Sequence, residues 1–408
     1  MTITYPLQVP ALRVEQPLGA FYAVVLSART LLDLCFTEAL RAEKLADGET
    51  YEVTGTQRLR QPKRLNEIAN YINREDSAFP NSIILAANYR EDGRVEGEAD
   101  DEAVEQQEFR RRWTVEEKNS GCYLLTIPTP ERLAAIIDGQ HRLFAFGLAS
   151  ADHRDDQLLC SVYIDLPKPL QAHIFATINS TQKPVDKSLT YELFGYNLED
   201  EASSRWSPEK LAVFLTRRLG SDKGSPMSGR IAVAPQNDFR EEEVDRNHWR
   251  VSTAVLVQGI LRLISSNPKS DSNALFTKDT SFFAKPRTRA DIKDLRRDRS
   301  PLRDLYIEEN DQLLYNIVEN FLTAANRLFW QPADPRSFIL KTVGIQALLD
   351  VLRLIAPAAI ANRNATVEFF EHRLRPAADI NFSEDLFRNA SGSGRSLIRN
   401  RILDAIGS

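Results

Sequence analysis

Ala134-Ala-Ile-Ile-Asp138-Gly139-Gln140-His141-Arg142-Leu-Phe-Ala-Phe146 is the stretch on which the reading of this chain turns. Ala134 to Ile137 reads as a short buried strand. His141 to Leu148 reads as a helix, with Leu143, Phe144 and Phe146 available to pack. Between the two apolar runs lie five polar or special residues. A glycine at such a junction permits a tight turn and a close backbone approach. A helix start offers N–H groups and a partial positive charge, the elements of an anion site. Arg142 adds a fork-shaped cation suited to phosphate oxygens. Gln140 and His141 can donate hydrogen bonds, and His141 can move a proton near neutral pH. Asp138 could hold a metal-bound water or orient His141. The plainer alternative is that Asp-Gly is only a turn, with Arg142 salt-bridged at a surface.

Outward from this stretch the N-terminal half mixes strands and helices. Phe21 to Leu26 predicts a strand, and Ser27 a cap for a helix running to about Leu45. Leu65, Ile68, Ala69 and Ile72 recur at helical spacing, and Ile83 to Ala87 predicts another short strand. Glu91 to Glu108 is acidic and nearly free of apolar residues, which predicts a solvated loop or a long hairpin tip. Trp113–Val115 and Tyr123–Ile127 read as strands around an Asn119-Ser120-Gly121 turn. Leu158 to Leu166 is a further strand, and Gln171 to Asn179 a helix. Asp186 reads as the cap of a helix through Phe194.

From about residue 200 the pattern becomes helical. Ser207-Pro208-Glu209 carries a cap, a first-turn proline and an early acid. Helices are expected at 252–265, 310–329, 338–355 and 366–374. The expected class is therefore α+β, with a mixed domain over residues 1–200 and a mostly helical domain over residues 201–408, the latter available for DNA or partner contacts.

Composition narrows the function classes. Of the 408 residues, 42% are apolar and 27% charged, enough for real cores under a solvated surface, and the net charge of -5 excludes a uniformly basic coat. Cys35, Cys122 and Cys160 form no CxxC pair, which disfavours a zinc knuckle and fits a reducing compartment. No secretory leader is visible, and the longest apolar run, Phe338 to Ala359, is broken by Lys341, Asp350 and Arg353. A cytoplasmic protein without membrane contact is the expectation.

Ile137-Asp-Gly-Gln-His-Arg-Leu143 resembles the defining motif of the DGQHR-domain family, within the wider ParB/sulfiredoxin-like superfamily. The DndB branch of that family regulates DNA phosphorothioation, and the DpdB branch serves 7-deazaguanine DNA modification. Phe175-Ala-Thr-Ile-Asn-Ser-Thr-Gln-Lys-Pro-Val185 resembles its second motif. Gln57-Arg58, the Ile68–Ile72 helix and Phe79-Pro-Asn-Ser-Ile83 resemble its N-terminal segment, so the likeness covers about residues 50–195.

The resemblance implies a site for ATP or another nucleoside triphosphate with Mg²⁺. Arg58, Gly139, Gln140, Arg142, Asn179, Thr181, Gln182 and Lys183 would bind the nucleotide, and Asp138 and His141 would act on an attacking water. It implies DNA as a partner, directly or through another protein, and a DNA-modifying enzyme encoded nearby, and it leaves room for a homo-oligomer. Sulfiredoxins carry a catalytic cysteine inside the turn where this chain has Gln140, so thiol chemistry of that kind is not expected.

Two functions of different class follow. The first is a nucleotide-hydrolysing accessory protein of a DpdB-like system. The second is a DNA-binding regulator like DndB, without turnover. A nuclease-type effector ranks behind both, because no clustered acidic-plus-Lys motif stands out in the C-terminal half.

Other segments carry charge. Lys285 to Arg303 holds eight Lys or Arg against three Asp, and reads either as a DNA phosphate contact or as a solvated face. Arg110-Arg-Arg112 beside Trp113 could stack on nucleic acid, against which the acidic run next to it speaks. Ser391-Gly-Ser-Gly-Arg395 reads as a linker before a C-terminal helix, or as a second phosphate nest. His153, His173, His248 and His372 show no ligand spacing.

Overall fold

The computed structural model describes residues 3–37, 41–44, 51–54, 61–97, 110–119, 121–181, 186–194, 201–232, 249–277, 285–295, 297–387 and 393–407. The chain divides into two compact units, Met1–Lys183 and Pro184–Ser408. The sequence placed this boundary near 200. The division falls ahead of the helix Lys187–Phe194, which Asp186 caps by accepting from the Ser188 and Leu189 N–H groups.

The N-terminal unit is built on an eight-stranded mixed sheet. Its strands are β1 (Leu7–Gln16), β2 (Gly19–Ser27), β3 (Cys35–Phe36), β6 (Ile83–Ala87), β7 (Thr114–Asn119), β8 (Cys122–Ile127), β9 (Ala134–Asp138) and β10 (Gln157–Ile164). They lie in the order β3-β9-β6-β10-β2-β1-β8-β7. A separate two-stranded ribbon joins β4 (Arg41–Lys44) to β5 (Tyr51–Thr54).

Side chains alternate across a strand, and both faces are used at the β9 end of the sheet. Ile83, Leu85 and Ala87 on β6 and Ala134 and Ile136 on β9 point to one core. That core is covered by α1 (Ala28–Leu34), α2 (Pro62–Ile72) and α3 (Gln140–Phe146). Ala86, Ala135 and Ile137 point to the other face, where Leu170, Ile174 and Phe175 of α4 (Lys168–Thr181) pack. This two-sided burial explains why β6 and β9 read as continuous apolar runs rather than alternating ones.

Ser27 caps α1 as the sequence predicted, but the helix stops at Leu34 rather than near Leu45. Cys35 and Phe36 leave it to pair in parallel with Ala134 and Ala135 of β9, and a buried tertiary pairing outweighs local helix propensity. The other clear omission is β1, where half-buried Leu7 and Val9 and buried Ala11 alternate, but Pro6 before the run and Pro10 within it speak against a strand in the sequence.

Asn88 pins the far end of the sheet. It follows β6 with a φ of 70° and is fully buried. Its amide donates to the Trp113 carbonyl and to Asp165, and its carbonyl oxygen accepts from the Trp113 N–H at 2.7 Å. Asp165 follows the parallel strand β10 at the equivalent corner, with a φ of 55°. The acidic run begins at this corner. Tyr89 bridges Val95, and Glu96 is buried against Arg90 and Arg111, so this acid is not solvated as expected. Residues 98–108 of the run lie outside the described residues.

The C-terminal unit is mostly helical. It contains α5 (Lys187–Phe194), α6 (Pro208–Ser221), α7 (Thr253–Ile264), α8 (Pro268–Phe276), α9 (Arg303–Ile307), α10 (Asp311–Ala325), α11 (Thr342–Ala361), α12 (Val367–Leu374) and α13 (Ser393–Ile406). The helix α11 is long and apolar enough to cross a membrane, yet Ile345, Leu348, Leu352 and Ile355 sit in the core of this unit. It packs tightly on α7, where a Cβ on Gly259 would fall 2.2 Å from Leu349 Cδ1.

Arg289 and Arg303 each form an ion pair in the interior of this unit. Arg289 is fully buried, bonds Asp311 at 2.6 Å and lies over the Tyr306 ring. Arg303 grips Asp271 through two bonds, while Ser265 Oγ donates to the same carboxylate. Removing one partner of a buried pair strands the other charge, at a cost of about 3–5 kcal/mol. Arg303→Ala is therefore expected to destabilise the C-terminal unit by about 3–5 kcal/mol. Urea unfolding followed by tryptophan fluorescence would measure it, and a loss below 1 kcal/mol, on the order of a surface pair, would contradict the burial of this bridge.

Candidate functional site

The strand β9 delivers Asp138 to the edge of the core, and Gly139 turns the chain with a φ of 99°. An L-residue pays for that conformation. Space is also closed, because a Cβ on Gly139 would meet Ile83 Cδ1 at 2.6 Å and Arg142 Nη2 at 3.2 Å. The Gly139 carbonyl then accepts from the Leu143 N–H at 2.9 Å and starts α3. Leu143 and Phe146 bury on one side of that helix, which leaves His141 and Arg142 half-exposed. Gln140 is buried at the junction.

Arg142 folds back over the turn. Its Nη2 donates to Asp138 Oδ2 at 2.8 Å and its Nη1 to the Asn81 carbonyl at 2.7 Å. The two side chains of this ion pair remain 22% and 29% exposed, so solvent reaches both. The Gln61 N–H donates to His141 Nε2 at 3.3 Å, which fixes Nε2 as the acceptor and leaves Nδ1 to carry the proton of a neutral ring. The turn thus joins Asp138, His141 and Arg142 to two backbone groups, one from the segment before β6 and one from the start of α2.

The second motif arrives by topology. Ile164 at the end of β10 pairs with Ala87, which pairs with Ala134 at the start of β9. The helix α4 follows β10 and packs on β9, so it runs back toward the Asp138 end of the sheet with Asn179 and Thr181 near its C-terminus. Asn179 donates its amide to the Phe175 carbonyl one turn earlier, the structural use of a residue at that place. Arg58, Gln182 and Lys183 lie outside the described residues.

Gln61 and Asn81 join the site through backbone atoms, which no side-chain pattern could have flagged. Asn81 does fall within the Phe79–Ile83 segment that the sequence singled out.

Other candidates resolve differently from expectation. Trp113 is buried, Arg111 is bound to Glu96 and Glu131, and Arg112 to Asp165 and the Glu96 carbonyl. Arg111 and Arg112 therefore brace the sheet corner, and the buried Trp113 ring is not open to stacking. Within Lys285–Arg303, Arg289 and Arg303 are interior residues, so the stretch is neither a uniform solvated face nor a uniform DNA contact. Among the described residues no three His, Cys, Asp or Glu side chains group as a metal centre. Cys35 and Cys160 are buried, and burial pushes the Cys160 thiol up to about 12 and the Cys35 thiol well above its usual value.

Comparison with protein-family models finds a match over residues 9–219, to the family described as DndB, DNA-sulfur modification-associated. This chain belongs to the DndB family. The match includes all of the sheet but the first two residues of β1, the DGQHR turn, the second motif and most of α6. No curated protein and no solved structure matches the chain. Membership of the DndB family ties the protein to DNA modification and leaves the chemistry of the turn to be argued from its geometry.

Two outcomes follow from this geometry. Gly139→Ala is expected to lower stability by at least about 1–2 kcal/mol, the cost of a left-handed non-glycine residue, because the clash with Ile83 adds to it. A melting temperature equal to that of the unchanged protein would show that the turn does not hold this conformation. Alkylation of the native protein is expected to label exposed Cys122 alone, with Cys35 and Cys160 reacting only after unfolding, as read by mass spectrometry.

Proposed function

We propose that this DndB-family protein is a ligand-responsive accessory of a DNA-sulfur-modification system, in which the DGQHR turn takes the phosphates of a nucleotide. What supports this reading is the Asp138–Arg142 pair. A guanidinium with the geometry for two phosphate oxygens is held half-exposed by a carboxylate of its own turn. Such a pair is a competitor for anions. A phosphate that binds Arg142 displaces Asp138, and the release of Asp138 from the end of β9 is a change that the flanking segments can transmit. Asn81 and Gln61 are those segments, through their bonds to Arg142 and His141.

The donor set fits a nucleoside triphosphate such as ATP. Arg142 supplies the fork, Gly139 the close backbone, and Gln140 and His141 further polar groups at the start of α3. Asn179, Thr181, Gln182, Lys183 and Arg58 complete the set that the motif likeness implies. Phosphates so held would supply the negative charge that opens the pair.

Hydrolysis ranks second. It would need Asp138 or His141 to face a water, and both are engaged here, Asp138 by Arg142 and His141 Nε2 by the Gln61 N–H. The family description names sulfur modification, which favours a DndB-like regulator over the 7-deazaguanine role. Its DNA contacts would be direct or made through the modifying enzyme.

Calorimetry with ATP and Mg²⁺ distinguishes these readings. Arg142→Ala is expected to weaken binding by about 1.5–3 kcal/mol, the scale of a charged hydrogen bond. Asp138→Asn keeps the shape, removes the competing charge, and is expected to tighten ATP binding by roughly tenfold, or about 1.4 kcal/mol. If Asp138→Asn instead weakens binding and abolishes phosphate release, Asp138 serves metal or water and the hydrolytic reading replaces this one. If the unchanged protein binds no triphosphate at millimolar ligand, the turn is structural.

A further inference from the structure

Arginines of the C-terminal unit converge on one carboxylate. Asp350 on α11 accepts from Arg395 Nε at 2.6 Å and Nη2 at 2.5 Å, and lies 3.4 Å from Arg262 Nη1. Arg353, one turn further along α11, and Arg399, one turn further along α13, also lie within its electrostatic reach. One carboxylate cannot neutralise four guanidinium groups, so a local excess of about three positive charges remains by simple counting.

The excess extends to a second segment. Arg262 and Arg353 line a cleft of about 300 Å³ together with Ser265 and Ser266. The Ser266 N–H donates to Asp298 Oδ2 at 2.9 Å, and the Ser300 N–H to Asp298 Oδ1 at 2.8 Å. Asp298 is thereby committed to backbone and holds its own segment beside the cleft. Its neighbours Arg297 and Arg299 are both exposed. Arg262, Arg353, Arg395 and Arg399 thus surround Asp350, and Arg297 and Arg299 flank Asp298 in sequence, six arginines against these two carboxylates. The unit as a whole carries 32 Lys and Arg against 30 Asp and Glu, so this is a concentration of charge and not a general basicity.

We infer that this arginine face of the C-terminal unit binds the phosphodiester backbone of duplex DNA. The cations come from four separate places in the chain, the end of α7, the 297–299 segment, α11 and α13. A single phosphate would engage one or two of them, whereas a polymer with a charge at every step can meet several at once. All six are arginines, whose fork pairs with phosphate oxygens in a bidentate manner. The choice of DNA rests on the proposed role in DNA-sulfur modification. The arginine face itself is independent of the DGQHR turn.

The test measures DNA affinity against salt concentration by fluorescence anisotropy. The variant Arg297→Gln, Arg299→Gln, Arg353→Gln, Arg399→Gln leaves Arg262 and Arg395 in place on Asp350, so the bonds to that carboxylate are kept. The unchanged protein should bind duplex DNA at low salt, with a log–log slope of about -0.9 per phosphate engaged. The fourfold variant should flatten that slope by about three units, and weaken binding equally across unrelated DNA sequences. Arg297→Gln with Arg299→Gln, and Arg353→Gln with Arg399→Gln, should each give roughly half of that change, which keeps the test decisive if the fourfold variant fails to fold. ATP binding by the same variants should be unaltered, so a failure here is distinct from a failure at the turn. An unchanged slope, no binding of duplex DNA by the unchanged protein, or tighter binding of RNA of equal length would each overturn the proposal.

Discussion

A glycine at 139 is the constraint on which the candidate site depends. β9 must stop, reverse its backbone hand and start α3 within one residue, under the methyl end of Ile83 and against the guanidinium of Arg142. Only a residue without a Cβ meets both demands. Once that turn is made, the positions of its neighbours follow. Asp138 ends a strand buried on both faces, Arg142 sits one helical turn above it, and the two meet as an i,i+4 pair. The site is therefore a by-product of how a strand is joined to a helix, and its rigidity comes from the core on either side.

The C-terminal unit uses charge in two ways. Arg289 and Arg303 are interior residues whose full desolvation is offset by Asp311 and Asp271, by neighbouring carbonyls and by aromatic rings. Such pairs contribute more to holding segments in register than to net stability. The arginines around Asp350 differ in kind. They outnumber their acids and keep contact with solvent, so their field is not cancelled inside the protein.

Much of this was legible before any coordinates. Apolar runs located β2, β6, β8, β9 and β10, and capping chemistry located α1, α5 and α6, because Ser27, Asp186 and Ser207 accept from their helix starts as such residues do. The DGQHR turn was legible because its polar block interrupts two buried runs. What failed was whatever depended on distant partners. α1 stops early because β9, a hundred residues away, takes Cys35 and Phe36 into the sheet. The Arg110–Arg112 tract and the Lys285–Arg303 stretch have the composition of exposed basic segments. Glu96, Asp165, Asp271 and Asp311, which turn several of these arginines inward, come from elsewhere in the chain. Local charge counting has no access to such pairings.

The twin left-handed corners at Asn88 and Asp165 have an electrostatic consequence. They close the sheet at the start of β9, whereas Asp138 lies at its end, and the four-residue rise between them spans about 13 Å. Glu91, Asp92 and Glu96 leave the sheet at the corner end. At physiological ionic strength charges in solvent are screened within about 8 Å. The described part of the acidic run is thus held more than one screening length from the turn. Among the described residues of the run, Glu91, Asp92 and Glu96 therefore add little negative potential at the DGQHR turn, where Asp138 is the carboxylate paired to Arg142.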